Sequence, residues 1–164
     1  MYSRILLPLD GSKLAEAALH HASAMARRFQ ASLLLLEVVT PATFAATMDS
    51  FSASPAELTL AAEAEEISES SAEEYLAEVA HRPELKGIPV QTEVVEGLAA
   101  EEIIRIAKAS EIDLIVMSTH GRSGIRRLVF GSVADQVLRE AGLPILLIRP
   151  MAQHGESTPD GNAS

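Results

Sequence analysis

Four short apolar runs constrain this chain more than any other feature. They are "RILLPLD" (residues 4–10), "SLLLLEVV" (Ser32–Val39), "DLIVM" (residues 113–117) and "PILLIRP" (residues 144–150). None alternates apolar with polar residues, as a strand wetted on one face does. Continuous apolar strands of this length are typical of a parallel sheet buried on both faces. A fifth run, "IPVQTEVVEG" (residues 88–97), alternates in part and reads as a strand nearer an edge. Between the strands lie stretches with helical periodicity. Residues 12–29 carry Leu14, Ala18, Leu19, Ala22 and Met25 at that spacing and end on Arg27 and Arg28. Helices are also expected over 57–82, stopped by Pro83 and Gly87, over 99–110 and over 132–140. Residues 40–56, with Pro41 and Pro55, read as a long mobile loop. The expectation is an α/β domain over 1–150, a five-stranded parallel sheet with helices on both faces. A disordered tail is expected over 151–164, where no apolar period remains.

Sheets of this kind bind ligands outside the carboxyl ends of their strands, where the strand order reverses. Charge narrows the class of ligand. The formal net charge is −10, which argues against general affinity for nucleic acid or for anionic lipid. Residues 57–84 hold nine glutamates and one arginine, the pattern of a solvated helix face. There is no cysteine, so disulfide and thiolate chemistry are excluded, which fits a reducing compartment. No apolar stretch approaches the roughly 18 residues of a membrane span. The N-terminal apolar run is too short for a secretion signal and closes on Asp10.

Against that acidic background stands "STHGRSGIRRLVFGS" (residues 118–132), with three glycines, three arginines and no acid. It follows a buried strand and leads into a helix. A phosphate group needs backbone N–H donors converging on one point, and glycine admits that close approach. The start of a helix supplies further donors and the positive end of a dipole. Gly131 opens the helix here, and Ser132 with Asp135 reads as a capping pattern. Other phosphate and nucleophile motifs are absent: there is no P-loop, no G-x-G-x-x-G and no complete G-x-S-x-G. A phospho-accepting receiver domain would need further acids near Asp10 and a lysine after the last strand, where "IRP" stands.

The chain resembles the universal stress proteins over about residues 2–150. The resemblance rests on "ILLPLDGS", "EVV", "EGLAAEEIIRIAKASEIDLIVMSTHGRSGIRRLVFGSVADQVL" and "LPILLIRP". It implies a Rossmann-like nucleotide-binding fold. ATP-binding members carry G-x-x-G, nine residues, then G-[ST]. The spacing recurs in Ser118, Gly121 and Gly131-Ser132, with serine in place of the first glycine. The resemblance implies that Asp10 contacts the ribose, with Pro8 shaping its turn, and that Val38 lies against adenine. Met117 and Ser118 would line base and ribose. His120, Gly121 and Arg122 would approach the phosphates, and Gly131, Ser132 and Val133 would hold them. Ala134 stands where some members have a hydroxyl, and Gly97 would fit the pocket's rim. The implied ligand is ATP or ADP, with any Mg²⁺ held mainly by the phosphates. The implied protein is a cytoplasmic homodimer paired through residues 144–150, acting in stress response or signalling through nucleotide-dependent conformation. Two alternatives stay open: a slow ATPase, which would need an activated water, and a stress protein that binds no nucleotide.

Overall fold

The structure is a computed structural model, and it describes residues 1–40, 55–119 and 131–149, the side chains of 55–67 excepted. Among the described residues there are five strands: β1 (Arg4–Leu9), β2 (Ser32–Val39), β3 (Val90–Glu96), β4 (Leu114–Ser118) and β5 (Ile145–Ile148). They form one sheet in the order β3-β2-β1-β4-β5, and every neighbouring pair is parallel. The chain builds outward from β1 to β3, then crosses back over β1 to add β4 and β5. The order therefore reverses between β1 and β4. That is where neighbouring crossovers leave in opposite directions and open a crevice at the carboxyl ends of the strands.

The apolar runs are explained by burial on two sides. Ile5, Leu7 and Leu9 of β1 face one core, together with Leu33 and Leu35 of β2 and Val116 of β4. Leu6, Leu34, Leu36, Ile115 and Met117 face the other. The first core is roofed by α1 (Lys13–Glu16), α2 (Leu19–Phe29) and α3 (Pro55–Ala80), the second by α4 (Ala99–Ala109) and α5 (Ser132–Glu140). Ile5, Leu6 and Leu7 are completely buried. Each such side chain contributes about 1.5–3 kcal/mol through the water it sheds. β3 is an edge strand, as its partial alternation implies, and β5 is the other edge.

Two boundaries differ from expectation. The helix expected over 12–29 is broken at Ala17 and Ala18. Both keep right-handed dihedrals, but the Ala18 N–H donates to the Ala15 carbonyl, a tightened i to i−3 turn. Ala18 is fully buried there, and the tighter turn seats it on the sheet. α3 begins at Pro55, so the last residues assigned to the 40–56 loop are helical. Proline suits a first helical turn because its missing N–H is not needed there. Residues 41–54 and the tail from Pro150 onward lie outside the described residues.

The β3–α4 turn depends on Gly97, at φ +148°. Its N–H donates to the Val39 carbonyl. A Cβ at this position would meet the Glu102 Cγ at 2.7 Å, and Glu102 is itself held by Arg105. Gly97→Val is expected to destabilise the fold by about 3 kcal/mol, through backbone strain and the displaced Glu102. Denaturant unfolding measures this; a loss below about 1 kcal/mol would contradict the account of the turn.

Candidate functional site

The crevice between β1 and β4 contains a cavity of about 260 Å³. Its walls come from six elements. Pro8, Leu9 and Asp10 end β1, and Ala15 belongs to α1. Leu36 and Val38 come from β2, with Ala99 and Ile103 from α4. Met117, Ser118 and Thr119 end β4, and residues 131–134 open α5. The floor is apolar, while the polar groups gather at the strand ends and at the start of α5.

Asp10 is placed by a local turn. Its Oδ1 accepts the Ser12 N–H at 3.0 Å. The Ser12 Oγ in turn accepts the Ala15 N–H at 3.1 Å and caps α1. Gly11 at φ +76° lets the chain reverse between them. One aspartate and one serine thus set both the carboxylate and the first turn of the helix beside it.

The α5 side is built differently. The Thr119 N–H donates to the Ile148 carbonyl at 2.9 Å, and the Gly131 N–H donates to the Thr119 carbonyl at 2.7 Å. These bonds hold the two ends of the segment 120–130 together at the cavity edge. Gly131 is the N-cap residue of α5, and among the described residues no side chain caps that helix. The expected Ser132–Asp135 cap does not form. Ser132 already lies inside the helix, and Asp135 pairs with Arg139 one turn on. The first intrahelical bond runs from the Asp135 N–H to the Gly131 carbonyl. The amides of Ser132, Val133 and Ala134 precede it, at the positive end of the helix dipole.

Eight residues singled out in the sequence come together in this cavity: Pro8, Asp10, Val38, Met117, Ser118, Gly131, Ser132 and Val133. Ala134 joins them. His120, Gly121 and Arg122 lie outside the described residues. Gly97 is not among the lining residues; it lies between the end of β3 and Ala99, the lining residue that opens α4. Sequence reasoning missed Leu9, Ala15, Leu36, Ala99, Ile103 and Thr119. Leu36 could have been found, since it lies two residues before Val38 on the same strand face. Ala15 and Ala99 carry no chemical mark beyond small size near the start of a helix.

Behind the α1 wall lies a charged cluster. Arg82 donates through both terminal nitrogens to Glu16, at 2.9 and 3.0 Å. The Tyr75 hydroxyl donates to the same carboxylate at 3.1 Å. The Arg82 hydrogen bonds hold the Glu16 carboxyl below the usual carboxylate range, against the opposing pull of its burial. Burial, with Glu16 beside it, pushes the Tyr75 phenol well up. A depressed folded pKa stabilises the fold above the unfolded value of 4.5, and that contribution is lost as pH falls through the lower folded value. Glu16→Gln is expected to cost about 2 kcal/mol at neutral pH, as the charge-assisted bonds weaken. It should also flatten the acid limb of the stability curve below pH ~4.5. Thermal melts of both proteins across pH 3–7 check this; parallel curves would count against the cluster's role.

The Universal stress protein family profile matches residues 1–149. Universal stress protein MJ0531 of Methanocaldococcus jannaschii is 34% identical over 149 residues, covering 91% of this chain and 83% of the relative. Among solved structures, protein MJ0577 of the same organism superposes with a TM-score of 0.77 at 26% identity, over 93% of this chain and 99% of that one. Universal stress protein UspA from Lactobacillus plantarum does so with a TM-score of 0.73 at 30% identity, over 90% and 98%. The doubly wound sheet is thus that of a known class, and the chain belongs to the universal stress protein family.

Proposed function

We propose that the cavity binds an adenine nucleotide, ATP or ADP, and that the protein acts in stress response or signalling through the conformation this ligand stabilises. The observation that carries the reading is the start of α5, which no side chain among the described residues caps and which opens directly into an apolar cavity at the sheet's switch point. An apolar chamber with a few convergent polar groups suits a base and sugar, and free amides at a helix start suit a phosphate. Val38, Leu36 and Met117 would sandwich the base, and Asp10 would meet the ribose. Ser132 and Val133 would donate amides to phosphate. Gly131 has its N–H committed to Thr119, so its part would be to leave room. His120, Gly121 and Arg122 would complete the phosphate contacts, and Mg²⁺ would be held mainly by the phosphates. Two proteins of this fold are known in complex with cAMP and with dAMP. Both ligands carry the adenine and phosphate chemistry that the cavity offers. A cytoplasmic homodimer paired through β5 completes the proposal.

A second reading, a stress protein without nucleotide, is favoured by one observation. Ser118 is 7% exposed on the cavity wall, where the ATP-binding pattern has a bare glycine. Its Cβ and hydroxyl would narrow the passage from base to phosphates. Ser118→Gly is therefore expected to tighten ADP binding about three- to tenfold by calorimetry, the effect of relieving one steric contact. If neither wild type nor Ser118→Gly binds, the nucleotide-free reading stands.

A further inference from the structure

We infer that Glu16 is a positioning residue for the cavity: gripped by Arg82 and Tyr75, it holds α1, and through α1 the Asp10 turn, in the arrangement that shapes this wall. The inference rests on the reading of the cavity as the ligand site. α1 is only four residues long, Lys13–Glu16. An isolated helix of fewer than about 12 residues is marginal in water, so so short a turn needs external anchors. It has two. Ser12 caps its start, and Glu16 at its end receives three hydrogen bonds, two from Arg82 and one from Tyr75. Tyr75 lies on α3 and Arg82 just beyond its end, and neither lines the cavity.

Successive helical residues point about 100° apart, so fixing Glu16 toward α3 fixes Ala15 toward the cavity. The hydrogen bonds then continue in series. Arg82 and Tyr75 hold Glu16; the Ala15 N–H bonds to the Ser12 Oγ; the Ser12 N–H bonds to the Asp10 Oδ1. The path runs from the end of α3 to the carboxylate at the cavity mouth. The partners are 59 and 66 residues from Glu16 in sequence, so the two ends of the first core are tied across the fold.

The test pairs amide exchange with ADP titration for wild type, Glu16→Gln and Arg82→Lys. Arg82→Lys keeps the charge and loses the two-pronged grip. The amides of Ser12, Ala15 and Glu16 are expected to exchange at least about tenfold faster in both variants, while those α5 amides that exchange through local opening change less, because the loosening is confined to the α1 wall. ADP affinity should fall about three- to tenfold. Equal acceleration of the locally opening α5 amides would show a loosening that is not confined to the wall, and that result overturns the inference. Unchanged exchange at the three amides in either folded variant overturns it too, as does faster exchange with undiminished ADP affinity. A wild type that binds no ADP overturns the nucleotide reading alone, and the exchange rates still decide whether Glu16 positions the wall.

Discussion

Gly131→Asp is expected to abolish nucleotide binding, with a loss of at least about 100-fold in ADP affinity, while leaving the protein folded and no less stable. The position has φ −66° and ψ 156°, ordinary extended dihedrals that any residue adopts. Glycine is thus not demanded by the backbone. Aspartate is among the best N-cap residues, and its carboxylate would accept the first-turn amides that now have no side-chain cap. That would add roughly a few tenths of a kcal/mol to the helix, because glycine is itself an acceptable N-cap. The same carboxylate would occupy the amides proposed for phosphate and set a negative charge against it. Stability and binding should therefore move in opposite directions. Calorimetry with ADP and a thermal melt give both readings. A folded Gly131→Asp protein that binds ADP as wild type does would remove α5 from the site.

The second large effect is expected at the sheet edge. β5 carries "ILLI", four apolar residues that are all only partly buried. Among the described residues its only strand partner is β4. Such an edge is a template for pairing with another chain, and nothing charged within it blunts that tendency. Ile145 and Leu147 extend the α4–α5 core, while Leu146 and Ile148 extend the other. Joining two copies along β5 would cover both layers at once. Ile145→Asp with Leu147→Asp is expected to convert a homodimer into monomer in sedimentation at tens of micromolar, roughly where interfaces of standard size are populated. A wild type that sediments as monomer at that concentration would defeat the proposed assembly.

The strands were legible because parallel strands roofed on both faces must be apolar throughout, which makes their ends visible wherever charge or a turn residue returns. Ser32–Val39 and the α5 helix fall where the pattern places them. The break at Ala17–Ala18 was not legible, since a tightened turn of two alanines leaves no mark in the periodicity. The α5 cap was misread for a related reason. Ser132 and Asp135 have the right spacing for a capping pattern, but the chain turns one residue earlier and Asp135 pairs with Arg139 instead.

At the cavity, the residues that end strands could be named in advance because topology sends ligands to those ends. The wall supplied by Ala15, Ala99 and Ile103 could not. Such residues shape space without offering a reactive group, and their distance from the motif hides them. Glu16 and Arg82 were hidden by the 66 residues that separate them. An exposed-looking glutamate on a short helix gives no hint that a distant arginine closes on it.

Amide chemical-shift mapping during an ADP titration tests the central claim most directly, because it reports binding and its location together. The amides of Asp10, Val38, Ser118, Ser132 and Val133 are expected to shift in concert and saturate with one dissociation constant, while those of α2 and of the start of β3 stay in place. No shift at a large excess of ADP, or shifts confined to residues away from the carboxyl ends of β1, β2 and β4, would contradict it.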